Sequence, residues 1–207
     1  MERGEVEELL RDGLRRLIEE NYELFDGDAN ERTITTQLAA NLRDDLRIPR
    51  GINVDHEYDR MGTHYQKILQ DWVDGELKLK GGNPVERKRY PDILVHGRGD
   101  NDDNIIAVEV KVGRRNDWND KSKIWALTSY PFDYQFGILL YLVEEDRGDG
   151  PVWITRWAWN PEHGNPEINY ETALADEESA ELTRRSRRAA EIRRASRKPT
   201  RAVRLEE

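Results

Sequence analysis

Two apolar segments joined by a polar turn constrain the fold of this chain more than any other feature. Residues 92–96 (DILVH) and 105–112 (IIAVEVKV) flank the stretch GRGDNDDN, a pattern that predicts an antiparallel β-hairpin. The second segment has apolar residues on both faces, so we expect a strand near the centre of a sheet. Glu109 and Lys111 interrupt it. Because buried charges are unfavourable unless they are paired or bind something, these two side chains are candidates for function.

The rest of the chain predicts helices and strands on both sides of this hairpin. Apolar residues at three- and four-residue steps indicate helices, whereas alternation or short apolar runs indicate strands. The predicted helices span about 2–25, 29–46, 61–74 and 117–129, and the further predicted strands span 52–59, 136–143 and 152–159. This order predicts an α/β fold with a mixed central sheet flanked by helices.

The composition excludes several classes of protein. The chain has no cysteine, which rules out disulfides, zinc ribbons, iron–sulfur clusters and thiol nucleophiles. Its longest apolar run, from Phe136 to Val143, is far shorter than the roughly 20 residues of a membrane helix. The N-terminal stretch MERGEVEELLRDG is too charged for a secretory signal. We therefore expect a soluble, cytoplasmic protein with no membrane partner.

The register of the hairpin brings an aspartate to the charged pair. If His96 pairs with Ile105, Asp92 lies opposite Glu109, and directly opposed side chains have Cβ atoms about 4.5–5.5 Å apart. Two carboxylates at that distance repel each other unless a cation lies between them, and Mg²⁺ (or Mn²⁺) prefers such oxygen ligands. Lys111 follows on the same face as Glu109. A metal, a metal-bound water and an ammonium group together predict a site that hydrolyses phosphodiesters.

The order of these residues resembles the signature of the PD-(D/E)XK nuclease superfamily. Tyr90-Pro91-Asp92 is followed by a gap of 16 residues and then by Glu109-Val110-Lys111 in an apolar segment. The restriction-endonuclease-like αβββαβ core of that superfamily matches residues 29–143, and the predicted helix at 61–74 is an insert in that core. The resemblance implies a single nuclease-like domain over residues 1–171.

The resemblance also implies a role for each residue of the site. Asp92 and Glu109 would bind the metal with help from the carbonyl group of Val110. Lys111 would orient or deprotonate the attacking water. Many members of the superfamily add a glutamate from the first core helix, and Glu31 matches that position.

Glu31 also has a purely structural interpretation. Asp28 and Glu31 are three residues apart at the predicted start of the second helix. That is the spacing of a capping box, in which the glutamate accepts a hydrogen bond from the backbone at the start of the helix. From the sequence alone, both interpretations stay open.

Basic residues in three places are candidates for contacts with nucleic acid. Arg87, Lys88 and Arg89 precede the aspartate segment, and Lys123 lies in the predicted helix after Glu109. Solvated charge is the favoured interpretation of all four, and a phosphate contact is the alternative. Farther on, residues 183–204 contain ten Arg or Lys and one acid, although the whole chain carries a formal net charge of −9. Because apolar residues are sparse there, we expect an arginine-rich tail over 172–207, helical or disordered, with no face to bury.

The sequence thus predicts a Mg²⁺-dependent nuclease whose partner is nucleic acid, with DNA the favoured substrate. Two alternatives stay open. The first is a non-catalytic nucleic-acid-binding protein on the same fold. The second is a structural partner protein that uses Trp153, Trp157 and Trp159 as an interface. A homodimer is compatible with the sequence as well.

Overall fold

A computed structural model describes residues 1–25, 30–58, 90–99, 101–113, 117–148, 150–159 and 170–197, and the backbone of short strands between residues 60 and 88. Four α-helices are described, α1 (Arg3–Glu20), α2 (Glu31–Arg43), α3 (Asp117–Leu127) and α4 (Asp176–Arg197), with a 3₁₀ helix at Tyr22–Phe25. The strands are β1 (Ile52–His56), β2 (Arg60–Met61), β3 (Tyr65–Gln66), β4 (Ile68–Gln70), β5 (Trp72–Val73), β6 (Glu76–Leu77), β7 (Leu79–Lys80), β8 (Asn83–Pro84), β9 (Glu86–Lys88), β10 (Ile93–Gly97), β11 (Asn104–Val112), β12 (Phe136–Asp146), β13 (Pro151–Trp159) and β14 (Glu171–Thr172).

Six strands form one mixed sheet in the order β1-β10-β11-β12-β13-β14. Neighbouring strands are antiparallel except β11 and β12, which are parallel. Parallel neighbours need a crossover connection, and α3 lies within the connection between these two strands. The predicted α/β class with a mixed sheet is confirmed. β11 is inside the sheet, paired on both sides, as its apolar residues on both faces indicate.

Different helices cover the two faces of the sheet. α1 and α2 share a core with one face, in which Leu9, Leu38 and Val108 are fully buried. α3 covers the other face, where Ile124 belongs to the same apolar cluster as Leu139 of β12. Among the described residues, no helix is long and apolar enough to cross a membrane. The end of β11 is therefore reached by α2 from one side of the sheet and by α3 from the other.

Close packing against α1 fixes the position of α2. A Cβ atom on Gly13 would lie 2.6 Å from Leu42 Cδ2, so a larger residue at this position would push the two helices apart. Asn41 donates a hydrogen bond from Nδ2 to the carbonyl oxygen of Gly13 over 3.2 Å. These contacts also fix the place of Glu31, the first residue of α2.

The helix predicted over 61–74 is wrong. Between residues 60 and 88, the described parts are short antiparallel strands, in which β2 pairs with β3, β4 with β9, β5 with β6 and β7 with β8. No described part of 61–74 is helical. The apolar residues here fit helical spacing, but aromatic and β-branched residues also favour strands. Asp74-Gly75 and Gly81-Gly82 stand between paired strands in the sequence, and such dipeptides are typical of two-residue hairpin turns. These two dipeptides are the feature of the sequence that favours hairpins over a helix in this region.

α4 is packed against the sheet, so the prediction of a tail with no buried face is wrong for this helix. Leu182 belongs to the main core and Ala180 packs with residues of β13. The backbone N–H of Trp153 donates a hydrogen bond to Thr183 Oγ1 over 3.2 Å. The buried side of α4 consists mainly of small and hydroxyl-bearing residues, which apolar spacing does not reveal. Residues 198–207 of the predicted tail lie outside the described residues.

Some arginines of α4 pair with acids of neighbouring elements. Arg193 Nη2 is 2.7 Å from Glu23 Oε1 of the 3₁₀ helix, and Arg185 Nη2 is 3.8 Å from Glu19 Oε1 of α1. Both pairs are largely exposed, so they contribute little to stability. A contact between α4 and nucleic acid stays a prediction.

Substituting a buried residue of α4 tests whether this helix stabilises the fold. We expect Leu182→Ala to lower the free energy of unfolding by about 2–3 kcal/mol in urea denaturation, because Leu182 is 7% exposed and its removal leaves a cavity. Ile192→Ala is the matched control, since Ile192 lies in the same helix but is 63% exposed; we expect a change within about 0.5 kcal/mol. Equal effects of the two substitutions would mean that α4 does not contribute to the core.

Candidate metal centre

The register of β10 and β11 agrees with the predicted one at the end of the hairpin that carries the charges. Ile93, the first residue of β10, lies opposite Val108. Because paired antiparallel strands run in opposite directions, the preceding residue Asp92 falls opposite Glu109. The register shifts only toward the other end of the hairpin, between Val95 and the residue after it.

Asp92 is anchored to the backbone of β11. Its Oδ2 atom accepts a hydrogen bond of 2.8 Å from the backbone N–H of Val110. Burial raises the pKa of Asp92, and the charge of Glu31 adds to that effect, whereas the charge of Lys123 opposes it. The backbone thus holds the side chain beside β11, in a place where its charged form is poorly solvated.

Glu109 is a fully buried carboxylate. The residue is 1% exposed, and its Oε2 atom accepts a hydrogen bond of 2.5 Å from Lys123 Nζ. Its Oε1 atom has no hydrogen-bond partner within the described part of the chain. Burial raises the pKa of Glu109 well above its usual value, and the charge of Asp92 raises it further, while Lys123 opposes both. One ammonium group therefore compensates only part of the cost of burying this charge.

Lys111 and Glu31 form a hydrogen-bonded ion pair at the end of β11. Lys111 Nζ donates to Glu31 Oε1 over 2.9 Å. Glu31 Oε2 also accepts a hydrogen bond of 3.2 Å from the backbone N–H of Val112. These contacts join the start of α2 to the strand that carries Glu109, so Glu31 belongs to the same group of charges.

The capping-box interpretation of Glu31 is wrong, because Asn30 caps α2. Asn30 Oδ1 accepts a hydrogen bond of 3.0 Å from the backbone N–H of Arg32, which is the contact of an N-cap residue. Glu31 is then the first helical residue, whereas a capping box places its glutamate third. Asp28 lies outside the described residues. The carboxylate of Glu31 is directed to Lys111 instead.

Asp120 of α3 is a further carboxylate of the site that sequence reasoning missed. It is 3% exposed, and its Oδ1 atom lies 3.6 Å from Lys111 Nζ and 3.8 Å from Lys123 Nζ. Its Oδ2 atom is buried without a hydrogen-bond partner among the described residues, and burial raises its pKa. The one available signal was that Asp120 and Lys123 are three apart in a predicted helix, which puts them on one face.

Together these side chains form a group that we call the charge cluster. It comprises four carboxylates and two ammonium groups, contributed by Glu31, Asp92, Glu109, Asp120, Lys111 and Lys123. With all six ionised, four negative charges against two positive charges leave a net charge of −2. Such an excess is unfavourable in a site this poorly solvated. It equals the charge that one divalent cation would neutralise.

Both lysines of the charge cluster are held in the ammonium form. Burial lowers the pKa of Lys111, but the hydrogen bond to Glu31 and the charges around it outweigh burial, and the net pKa is raised. Burial likewise lowers the pKa of Lys123, and the charges of Glu109 and Asp92 outweigh it. In this arrangement the two side chains donate hydrogen bonds and neither is a general base at neutral pH.

The donor set fits a hard divalent cation, although the ligands are not yet assembled. Such cations take carboxylate oxygens, and the partnerless buried oxygens of Glu109 and Asp120 would gain an interaction with one. In the part of the chain that the structure describes, no three His, Asp or Glu side chains are arranged as a ligand group. The ammonium groups of Lys111 and Lys123 lie among the carboxylates instead. Binding a cation would therefore require ion pairs of the cluster to rearrange.

The residues predicted to contact nucleic acid differ in their placement. Lys123 is in the charge cluster, with its side chain 17% exposed and bonded to Glu109, so it is not part of an open basic surface. Arg87 and Lys88 lie in β9, where only the backbone is described, and Arg89 lies outside the described residues. For these three residues, contact with nucleic acid stays a prediction.

His96 is buried in a polar contact of its own. It is 2% exposed, and its Nε2 atom lies 3.2 Å from Asp55 Oδ2. Its ring centroid is 4.8 Å from that of Tyr58. The sequence predicted that His96 pairs with Ile105; this is wrong, because the register shifts at this point and His96 pairs with Asn104. The contacts of His96 thus explain its burial without a role in metal binding.

No protein-family model, no curated protein and no solved structure matches this chain. These comparisons therefore add no support to the superfamily resemblance seen in the sequence. The functional inference rests on the contacts of the charge cluster at the end of β11, together with the sequence motif and the order of the elements.

The raised pKa of Glu109 predicts how the stability of the metal-free protein depends on pH. Above about pH 4.3, the usual pKa of glutamate, the unfolded chain releases this proton, whereas the folded chain releases it only at the higher pKa that burial causes. The folded state then binds more protons, so the free energy of unfolding falls as the pH rises. We expect urea denaturation in EDTA between about pH 4.5 and 8 to show a smaller fall for Glu109→Gln than for the wild type.

The comparison of the two slopes isolates the contribution of Glu109 from that of the other titrating groups. Glu20→Gln is the matched control, because Glu20 is exposed at the end of α1, and we expect its slope to equal that of the wild type. Parallel curves for Glu109→Gln and the wild type would show that burial does not perturb Glu109.

Proposed function

We propose that this protein is a Mg²⁺- or Mn²⁺-dependent nuclease of the PD-(D/E)XK superfamily that hydrolyses phosphodiester bonds in DNA. The observation that carries the proposal is the charge cluster. Asp92, just before β10, lies opposite Glu109 of β11, and Lys111 follows two residues after Glu109 on β11. A structural role alone does not require two opposed carboxylates and an ammonium group in a poorly solvated place.

The order of the elements around the cluster supports the same proposal. α2, β1, β10, β11, α3 and β12 follow one another as α-β-β-β-α-β, apart from the short strands between β1 and β10. This is the element order expected for a restriction-endonuclease-like core. The charges lie at the end of the second and third core strands, and the first core helix contributes Glu31.

Each residue of the site has a distinct part in the proposed reaction. When bound, the metal would polarise a phosphate oxygen and lower the pKa of a water molecule. Asp92 and Glu109 would hold it, with the carbonyl oxygen of Val110. Lys111 would donate hydrogen bonds that orient the attacking water and stabilise the charge that develops on the phosphate. Glu31 would fix the Lys111 side chain through the 2.9 Å hydrogen bond between them.

In this reaction the oxygen of water forms a bond to phosphorus, and the bond from phosphorus to one sugar oxygen breaks. The proton released by the water is passed on to solvent, and the leaving oxygen takes up a proton. The products are a phosphate monoester end and a hydroxyl end. Lys111 stays an ammonium group throughout and stabilises charge rather than accepting the proton.

Cleavage of plasmid DNA tests the proposal directly. We expect the wild type to cleave in Mg²⁺ and not in EDTA, and Asp92→Asn to be inactive in both. In EDTA, Asp92→Asn should melt no lower than the wild type, because it removes one of several mutually repelling carboxylates while its side-chain oxygen can still accept from Val110. Salt-sensitive DNA binding without cleavage would indicate a non-catalytic binding protein, and neither binding nor cleavage would indicate a structural partner. Parallel assays with single-stranded, branched and RNA substrates would define the substrate.

Lys111 provides a sharper test of the proposed chemistry. We expect Lys111→Ala to slow single-turnover cleavage by about 10²-fold, the scale of one lost transition-state contact, while DNA binding is retained. Lys78→Ala is the matched control, since Lys78 stands in another Glu-x-Lys triplet, Glu76-Leu77-Lys78, and its cleavage rate should be unchanged. A slow Lys78→Ala together with a fully active Lys111→Ala would contradict the assignment of the site.

A further inference from the structure

Asp120 lies between the two ammonium groups of the charge cluster without a hydrogen bond to either. Its Oδ1 atom is 3.6 Å from Lys111 Nζ and 3.8 Å from Lys123 Nζ, distances at which charges attract but no hydrogen bond forms. The lysines form their hydrogen bonds elsewhere, over 2.9 Å to Glu31 and 2.5 Å to Glu109. Asp120 is therefore an acceptor close to both ammonium groups and bonded to neither.

The burial of Asp120 makes this arrangement unfavourable. The residue is 3% exposed, and its Oδ2 atom has no hydrogen-bond partner among the described residues. A buried acceptor without a partner costs free energy, so a second arrangement in which Asp120 is bonded would recover part of that cost. Lys123 is the nearer candidate along the chain, because residues three apart on a helix lie side by side.

Lys123 and a divalent cation compete for the same carboxylate. Lys123 Nζ donates a hydrogen bond to Glu109 Oε2 in the structure, and Glu109 is a proposed metal ligand. Two cations at one carboxylate repel each other strongly in a poorly solvated site. Lys123 is bonded to Oε2 while Oε1 has no partner among the described residues, so a metal on Oε1 would repel the ammonium group across one carboxylate and favour its departure. A buried ammonium group then needs another carboxylate.

We propose that Asp120 is that carboxylate: it accepts the Lys123 ammonium group when a divalent cation binds Glu109. This inference rests on the proposed function, because it requires a metal at Asp92 and Glu109. No proton is transferred and no covalent bond changes; Lys123 only exchanges one carboxylate partner for another on its own helix. Asp120 is thus a positioning residue, which acts on the metal site through Lys123.

A double-mutant cycle of Mn²⁺ affinity tests the exchange without relying on cleavage. Mn²⁺ binding is measured by calorimetry at pH 8 for the wild type, Asp120→Asn, Lys123→Met and the double variant. We expect Asp120→Asn to weaken binding about tenfold, because Lys123 then has no second carboxylate. Lys123→Met should bind at least as tightly as the wild type, because a competitor is gone. Asp120→Asn should cause no further loss in the Lys123→Met background.

Two controls keep the cycle interpretable. Asp44→Asn removes the same charge from an exposed position at the far end of α2 and should leave Mn²⁺ affinity unchanged. Lys123→Gln, which still donates a hydrogen bond to Glu109, serves as the second background if circular dichroism shows that Lys123→Met is unfolded.

The possible results separate this inference from the proposed function. If Asp120→Asn weakens Mn²⁺ binding equally with and without Lys123, Asp120 is a direct ligand and the exchange is wrong. If Asp120→Asn binds Mn²⁺ as the wild type does, Asp120 has no part in the site and the inference fails alone. If the wild type itself does not bind Mn²⁺, the proposed metal site fails and the inference with it.

Discussion

Glu109 lies three residues before the last residue of the central strand β11 and is 1% exposed. The structure around it supplies the groups that compensate its charge. α3 contributes Lys123, which donates a hydrogen bond to the carboxylate. The residue before β10, Asp92, lies opposite Glu109 and adds a second negative charge. Because β11 is paired on both sides, it cannot move to expose these groups. The neighbouring helices must therefore bring ammonium groups close to the buried carboxylates.

Helices on both sides of the sheet contribute charged groups around Glu109. α2, on one side, reaches the end of β11 through Glu31, whereas α3, on the other, reaches it through Asp120 and Lys123. The cluster thus ties both layers of helices to a single strand. With all six groups ionised, the excess of two negative charges leaves the cluster incompletely neutralised, which is the property that a cation site needs. Stability and the proposed chemistry draw on the same side chains, so substitutions here are expected to change both.

The sequence predicted those parts of the fold that depend on local pattern. The antiparallel hairpin, the register at Asp92 and the central position of β11 follow from apolar spacing and the turn between the strands. The segment 61–74 was assigned wrongly because its apolar residues suit a helix and a strand alike. The sequence predicted no buried face for α4 because its buried side carries Ala180 and Thr183, which are small or polar and form no apolar stripe. In both places the local signal was ambiguous or absent.

The sequence by itself determined that Asp92, Glu109 and Lys111 come together, because a two-residue period and one turn suffice to set their positions. Only the tertiary structure decided which lysine binds which carboxylate. Lys111 is bonded to Glu31, 80 residues away in the chain, and Glu109 is bonded to Lys123. Local periodicity describes which face a residue occupies, but the packing of α2 and α3 on opposite sides of β11 sets the distances between faces. That packing brings Asp120 to both lysines.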